Sequence, residues 1–291
     1  MATEDSLSVA TSSVVKQVRA IVEATNIHDL LTFSFQRRTF TAAASTVAIP
    51  GTDPSYPVVS LLAQTLYERC YCARYLPSTD ADVIAPAIAP GTWDADGWND
   101  DDVSAFQRGL SAANAGGDTW DDGWRVRNVL AGGQVIATKG DWLRTFQAGE
   151  YLTAGVPGAG PVPNGALRVF LPRESWLAQP GFYFAFGLTL TDAADDADIL
   201  RLYWNVRAEG SARLVRVLTS TLNRYAIPFK YKCQVYPQAY RRIDGTVLFI
   251  ARRYFHVTMD ALHDGYATIA HDLEDDVPLF THRLRPGLSV A

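Results

Sequence analysis

The chain has 291 residues and a formal net charge of −5, from 26 Lys and Arg against 31 Asp and Glu. Its 48% apolar and 20% charged residues are an ordinary globular composition, which excludes wholesale disorder and a fibrous repeat. No apolar run approaches the roughly 20 residues of a membrane span, and the net acidity argues against a general nucleic-acid binder.

In chain order, Val14, Val18, Ile21 and Val22 recur at helical spacing, so one face of a helix over 6–25 is predicted to be buried. Its acidic start has no cation before Lys16 and does not read as a secretory signal. A second helix is predicted over 57–75, with Pro57 early and Pro77 just beyond its end. The Ala-, Pro- and Asp-rich stretch 78–98 reads as a loop. A third helix over about 100–114 opens on three Asp residues, which suit a positive helix N-terminus, and stops at Asn114 before Gly116-Gly117.

The pattern then changes to strands. Residues 123–141 read as a hairpin around Gly132-Gly133, with a third strand near 142–147. A Pro/Gly-rich loop covers 153–166, and LRVFL (167–171) and FYFAF (182–186) read as buried strands. Residues 199–207 alternate: Leu200, Leu202, Trp204 and Val206 share one face, and Arg201, Tyr203, Asn205 and Arg207 the other. An amphipathic helix follows, lined by Leu214, Val217, Leu218, Leu222 and Tyr225. In 229–236 the residues Phe229, Tyr231, Cys233 and Val235 point one way, and Lys230, Lys232, Gln234 and Tyr236 the other. A strand over 245–251 and a helix over about 255–273 complete the reading. The predicted class is α+β: a single domain over 1–291, with a helical N-terminal part (1–56 as an extension) packed on a mostly antiparallel sheet.

Charge is unevenly spread. Residues 201–253 hold eleven cations and two anions, Glu209 and Asp244, so this segment is +9 and the rest of the chain −14. Residues 80–122 hold ten Asp and one cation, Arg108. Either the two segments solvate or pair with one another, or the basic one receives an anion such as phosphate. Lys is scarce, with Lys16, Lys139, Lys230 and Lys232 against 22 Arg, which leaves few candidates for chemistry that needs a titratable amine.

Signatures of P-loops, zinc proteases, serine hydrolases and paired CxxC metal sites are absent. Cys70, Cys72 and Cys233 are too few for a disulfide framework, which points to a reducing cytoplasm, and no metal or organic cofactor is indicated. The strongest constellation is a strand pair: Arg201, Tyr203, Asn205 and Arg207 on one strand, Lys230 and Lys232 on another. If both strands share a sheet and a face, cations and hydrogen-bond donors converge on a surface that binds phosphate by charge-assisted bonds. The alternative is a solvated polar face, as antiparallel sheets often show.

LYERCYCARY (66–75), GLSAANAGGDTWDDGW (109–124), QPGFYFAFG (179–187), RLYWNV (201–206), LTSTLNRYAIPFKYKC (218–233), YRRIDGTVLFIA (240–251) and VPLFTHRLRPGLSVA (277–291) run in an order that resembles the HopA-type effector family. That family includes a type III effector of plant pathogens. It also includes stand-alone proteins of class V lanthipeptide and thioamitide biosynthesis. The resemblance begins near residue 57, and the N-terminal segment favours the biosynthetic branch. The family's Gly- and Ser-rich segment beyond the PLFT stretch, with a further Arg or His, is not matched before Ala291.

The resemblance implies a cytoplasmic lyase. A separate kinase of aminoglycoside-phosphotransferase type phosphorylates Ser or Thr of a ribosomally made precursor peptide. The lyase then removes phosphate and the α-proton to leave dehydroalanine or dehydrobutyrine. Neither nucleic acid nor membrane is an implied partner. Such chemistry needs a base, a stabilised enolate-like oxygen and a neutralised leaving phosphate. Lys232 is the preferred base, because neighbouring cations and partial burial favour its neutral amine, with Lys139 as the competing candidate. Arg201, Arg207, Arg242 and Lys230 are the expected phosphate ligands. Tyr203 and Asn205 would orient substrate or donate to the leaving oxygen. Asn114 would bind peptide backbone or, equally, cap its helix. Asp244 would hold Arg242 in place. A non-catalytic phosphopeptide scaffold and an effector that binds a host protein are the competing functions.

Overall fold

A computed structural model describes residues 4–43, 53, 55–73, 99–155 and 158–291, without the side chains of 4–13 and 193. The predicted loop 78–98, with its acidic residues, lies outside the described residues. The fold is α+β, and every strand pairing in its three sheets is antiparallel.

Helix α1 (Glu4–Glu23) leads into β1 (Thr25–Ile27), β2 (Thr32–Phe35) and β3 (Arg38–Thr41), a small sheet for which the periodicity gave no warning. The predicted second helix divides into α2 (Tyr56–Leu66) and a π-helical turn, Tyr67–Tyr71. Ile21, Phe33, Phe35, Val58 and Cys70 form a local core with Leu279. Helix α3 (Asp100–Ala113) starts at a capping box in which Asn99 accepts from the Asp102 amide at 2.9 Å.

Strands β4 (Thr119–Val129), β5 (Val135–Lys139), β6 (Trp142–Phe146), β7 (Tyr151–Thr153) and β8 (Ala166–Leu171) form a five-stranded sheet in the order β6-β5-β4-β8-β7. The predicted hairpin is β4–β5, with Gly132 and Gly133 both at positive φ.

The largest sheet has seven strands: β9 (Glu174–Ser175), β10 (Phe182–Phe186), β11 (Ile199–Trp204), β12 (Lys230–Gln234), β13 (Val247–Ala251), β14 (His282–Arg285) and β15 (Leu288–Val290). Their order is β14-β15-β11-β13-β12-β10-β9. Short α4 (Ala193–Ala197) precedes β11, and α5 (Ala208–Arg224) follows it. The predicted C-terminal helix is two short ones, α6 (Phe255–Ala261) and α7 (His263–Ile269), and the β14–β15 hairpin beyond them was not foreseen.

One face of this sheet is dry. Leu200, Leu202, Trp204, Tyr231, Cys233, Leu248 and Ile250 pack against Leu214, Val215, Leu218 and Leu222 of α5. These are the apolar positions of the alternating patterns. The opposite positions therefore emerge together on the other face.

In the first turn of α5, a Cβ added at Gly210 would lie 2.6 Å from Asp272 Cγ. Gly210→Ala gains up to about 1 kcal/mol of helix propensity. It also overpacks a buried contact, which costs about 1–3 kcal/mol. The urea midpoint is therefore expected to fall with an unchanged m-value.

Candidate phosphate-binding face

Strand β13 lies between β11 and β12, and its register fixes which side chains meet. Arg201 stands opposite Phe249, and Phe249 opposite Lys230. One step along, Tyr203 stands opposite Val247, and Val247 opposite Lys232. Phe186 and Phe184 extend these two rows on β10, and Ser289 extends the second on β15. Two positions along a strand are about 7 Å apart, and two strand spacings about 10 Å. Arg201, Lys230 and Lys232 thus share a patch that long side chains can span.

A segment far away in sequence closes one side of the patch. Tyr71 meets the Tyr203 ring edge-on at 5.9 Å and stacks on Tyr67 at 5.4 Å. The Tyr67 hydroxyl donates to Asp244 Oδ2 at 2.7 Å. Arg242 grips the same carboxylate with two bonds, Nε to Oδ1 at 3.0 Å and Nη2 to Oδ2 at 2.9 Å. Its Nη2 also lies 2.9 Å from Cys72 Sγ. The expectation that Asp244 holds Arg242 is borne out: the guanidinium is fixed along its Nε–Nη2 edge, and Nη1 makes no hydrogen bond among the described residues. Burial and the adjacent carboxylate push the Cys72 thiol up to about 12, so it stays protonated. π-helical turns occur often at functional sites; this one brings the Tyr67 hydroxyl to Asp244, and Cys72, just past its end, reaches the same carboxylate oxygen at 3.5 Å.

The cations differ in how they are paired. Arg207 bonds Glu274, Arg213 bonds Asp272, Arg252 bonds Asp198, and Arg253 bonds Asp192 and Asp195. Among the described residues, the side chains of Arg201, Lys230 and Lys232 have no carboxylate within ion-pair distance. Lys230 Nζ lies over the Phe249 ring at 4.9 Å; Lys232 Nζ lies over Phe182 at 4.4 Å and 3.4 Å from Gln179 Oε1. Partial burial lowers the Lys232 pKa, and the nearby Arg242, Lys230 and Arg201 lower it further, against an opposing pull from Asp244.

Other sequence candidates lie elsewhere. Lys139 belongs to the five-stranded sheet, where its Nζ is 2.6 Å from Asp121 Oδ1, so its charge is already paired. Asn205 is buried past the end of β11, and its amide donates to the Asp276 carbonyl at 3.0 Å, so it braces the loop before β14. Arg207 stands at the N-terminus of α5, bound to Glu274 and the His271 carbonyl. These two continue the alternation of β11 in sequence, but the strand ends at Trp204 and the chain turns away. Asn114 is the C-cap of α3 and donates to the Tyr183 hydroxyl at 3.0 Å, on the sheet face opposite the cations. Its side chain also donates to the Arg173 carbonyl at 3.2 Å, so it ties the end of α3 to the sheet.

Tyr67, Tyr71, Gln179, Phe182 and Phe249 were not singled out from the sequence as site residues. The only signal was that all five fall inside segments that carry the family resemblance. No group of His, Cys, Asp and Glu suited to a metal ion occurs among the described residues. No described helix is long and apolar enough to cross a membrane.

Residues 173–291 match the HopA1 effector protein family. This region, about two fifths of the chain, is similar to the HopA-type family. It contains Arg201, Tyr203, Lys230, Lys232, Arg242 and Asp244, and so the whole cationic face; the π-helical turn and Lys139 lie outside it. No curated protein matches the chain. Two solved effector structures resemble it. One, from Pseudomonas syringae pv. tomato strain DC3000, is 16% identical with a TM-score of 0.37, covering 67% of this chain and 63% of that one. The other, from Pseudomonas syringae pv. syringae strain 61, is 13% identical with a TM-score of 0.36, covering 67% and 64%. The match thus spans less than two thirds of either effector chain.

Proposed function

We propose that this protein is a cytoplasmic lyase that removes phosphate by β-elimination from phosphoserine or phosphothreonine in a ribosomally made peptide. A separate kinase would supply the substrate, and no metal or organic cofactor takes part. The reading rests on one observation above all: Arg201, Lys230 and Lys232 share a sheet face without carboxylate partners among the described residues. Unpaired cations gathered this closely repel one another, and a dianion relieves that repulsion.

In this reading Arg201, Lys230 and the free edge of Arg242 hold the phosphate. Neutral Lys232 removes the α-proton. The C–H electron pair becomes the Cα–Cβ double bond, the Cβ–O bond breaks, and phosphate leaves with that bonding pair. The Tyr203 hydroxyl, beside Tyr71, donates to a substrate oxygen.

Mass spectrometry of a kinase-treated precursor peptide tests this. Elimination removes the elements of phosphoric acid at each phosphosite and leaves a product that adds thiols. Hydrolysis would leave a product heavier by one water. Unchanged mass with retained binding identifies a phosphopeptide scaffold. Neither reaction nor binding would favour an effector that engages a host protein, a reading supported by the name of the matching family.

A further inference from the structure

We infer that a cleft at the end of the cationic face takes a large apolar side chain of the phosphopeptide, about two to four residues from its phosphorylated residue. The cleft has a volume of about 320 Å³. It lies where the central strands of the seven-stranded sheet meet β6 and the loop before α4, and its walls include Phe186, Phe249, Leu190 and Leu171. Lys230 belongs to both places: its ammonium is one of the unpaired cations, and its side chain lines the cleft.

Most polar groups in the cleft are already spent. Asp196 is held by the Thr191 hydroxyl at 2.8 Å and by Arg144 at 3.4 Å, and Asp195 by Arg253. Arg144 Nη2 is further bound to the Thr191 carbonyl at 2.8 Å. What remains to a ligand is mainly aliphatic and aromatic surface. Arg144 Nε is itself buried, with no acceptor among the described residues.

The spacing follows from strand geometry. Lys232 stands one row from Lys230, and the cleft extends one row further, past Ile199 and Ala251. That is about 7–14 Å from Lys232, or roughly two to four residues of an extended peptide. The inference rests on the phosphopeptide reading for this spacing, but not for the apolar preference itself.

Synthetic fluorescein-labelled peptides with one phosphothreonine in an Ala/Gly background would carry a single Phe at successive positions on either side. Fluorescence anisotropy measures Kd. A Phe two to four residues from the phosphothreonine is expected to tighten binding roughly tenfold or more, since burying an aromatic side chain is a strong drive. Thr189→Trp or Leu171→Trp, which fill the cleft from different walls, should erase that gain and leave the Phe-free phosphopeptide unaffected. No gain at any spacing, or equal weakening of both peptides by both variants, overturns the inference. Unphosphorylated twins separate the two claims. If phosphate adds nothing but the Phe gain persists and vanishes in the variants, the cleft stands and the phosphate reading falls.

Discussion

Lys232→Ala is expected to lower kcat for phosphate elimination by about a hundred- to ten-thousandfold, the usual contribution of a positioned general base. Peptide affinity should change far less, because in the proposed arrangement Arg201, Lys230 and Arg242 would still hold the phosphate. Lys232→Arg is the more discriminating variant: it keeps the cation but cannot release a proton near neutral pH. It should bind the phosphopeptide and fail to turn it over. An active Lys232→Arg protein would end the assignment of Lys232 as base.

The pH profile is a second readout of the same residue. Partial burial and three neighbouring cations lower the Lys232 pKa, so the neutral amine becomes available as pH rises. The rate should climb with pH along a limb centred below the ordinary lysine value of about 10.4. The sign for stability runs the same way. Folding disfavours the protonated amine, so this cost is fully present below the folded pKa and fades as pH rises from there to the unfolded value. Lys232→Met should therefore be inactive without loss of stability at neutral pH, a trade of stability for function. Lys139→Ala, by contrast, should leave elimination intact, because that amine is paired with Asp121 in another sheet.

Asp244→Ala should be the most destabilising of the site variants, by about 3–5 kcal/mol in urea unfolding. The carboxylate is buried, with its side chain 7% exposed, and it ties together Arg242, Tyr67 and Cys72. Its removal strands the Arg242 guanidinium among Tyr67 and Cys72. Tyr67→Phe removes one hydroxyl from the same network and should cost only about 1 kcal/mol. Similar losses from the two variants would show that the ion pair is not what anchors this corner. Phosphate affinity should fall more in Asp244→Ala than in Tyr67→Phe, because only the former frees Arg242.

The local alternation of polar and apolar residues was legible without any structure. A strand rotates successive side chains by half a turn, so once Leu200, Leu202 and Trp204 are buried against α5, Arg201 and Tyr203 must face the other way. The same argument placed Lys230 and Lys232 opposite Tyr231 and Cys233. The bias of charge toward 201–253 was equally plain, as were α1, α3, α5 and the β4–β5 hairpin.

Which strands lie side by side is another matter. Periodicity says which face a residue takes, not which neighbour it meets, because strand order is decided by packing between distant segments. Only the insertion of β13 between β11 and β12 brings Arg201 level with Lys230 and Tyr203 level with Lys232. Asp244 fixes Arg242 from two residues away, but only tertiary packing brings the Tyr67 hydroxyl of the π-helical turn onto that carboxylate. For the same reason Arg207 and Asn205, in phase with the site by sequence, leave it where β11 ends. Lys139, chemically as suitable as Lys232, is removed by its pairing in a different sheet. Side-chain direction is a short-range property of the backbone, and convergence is a long-range one.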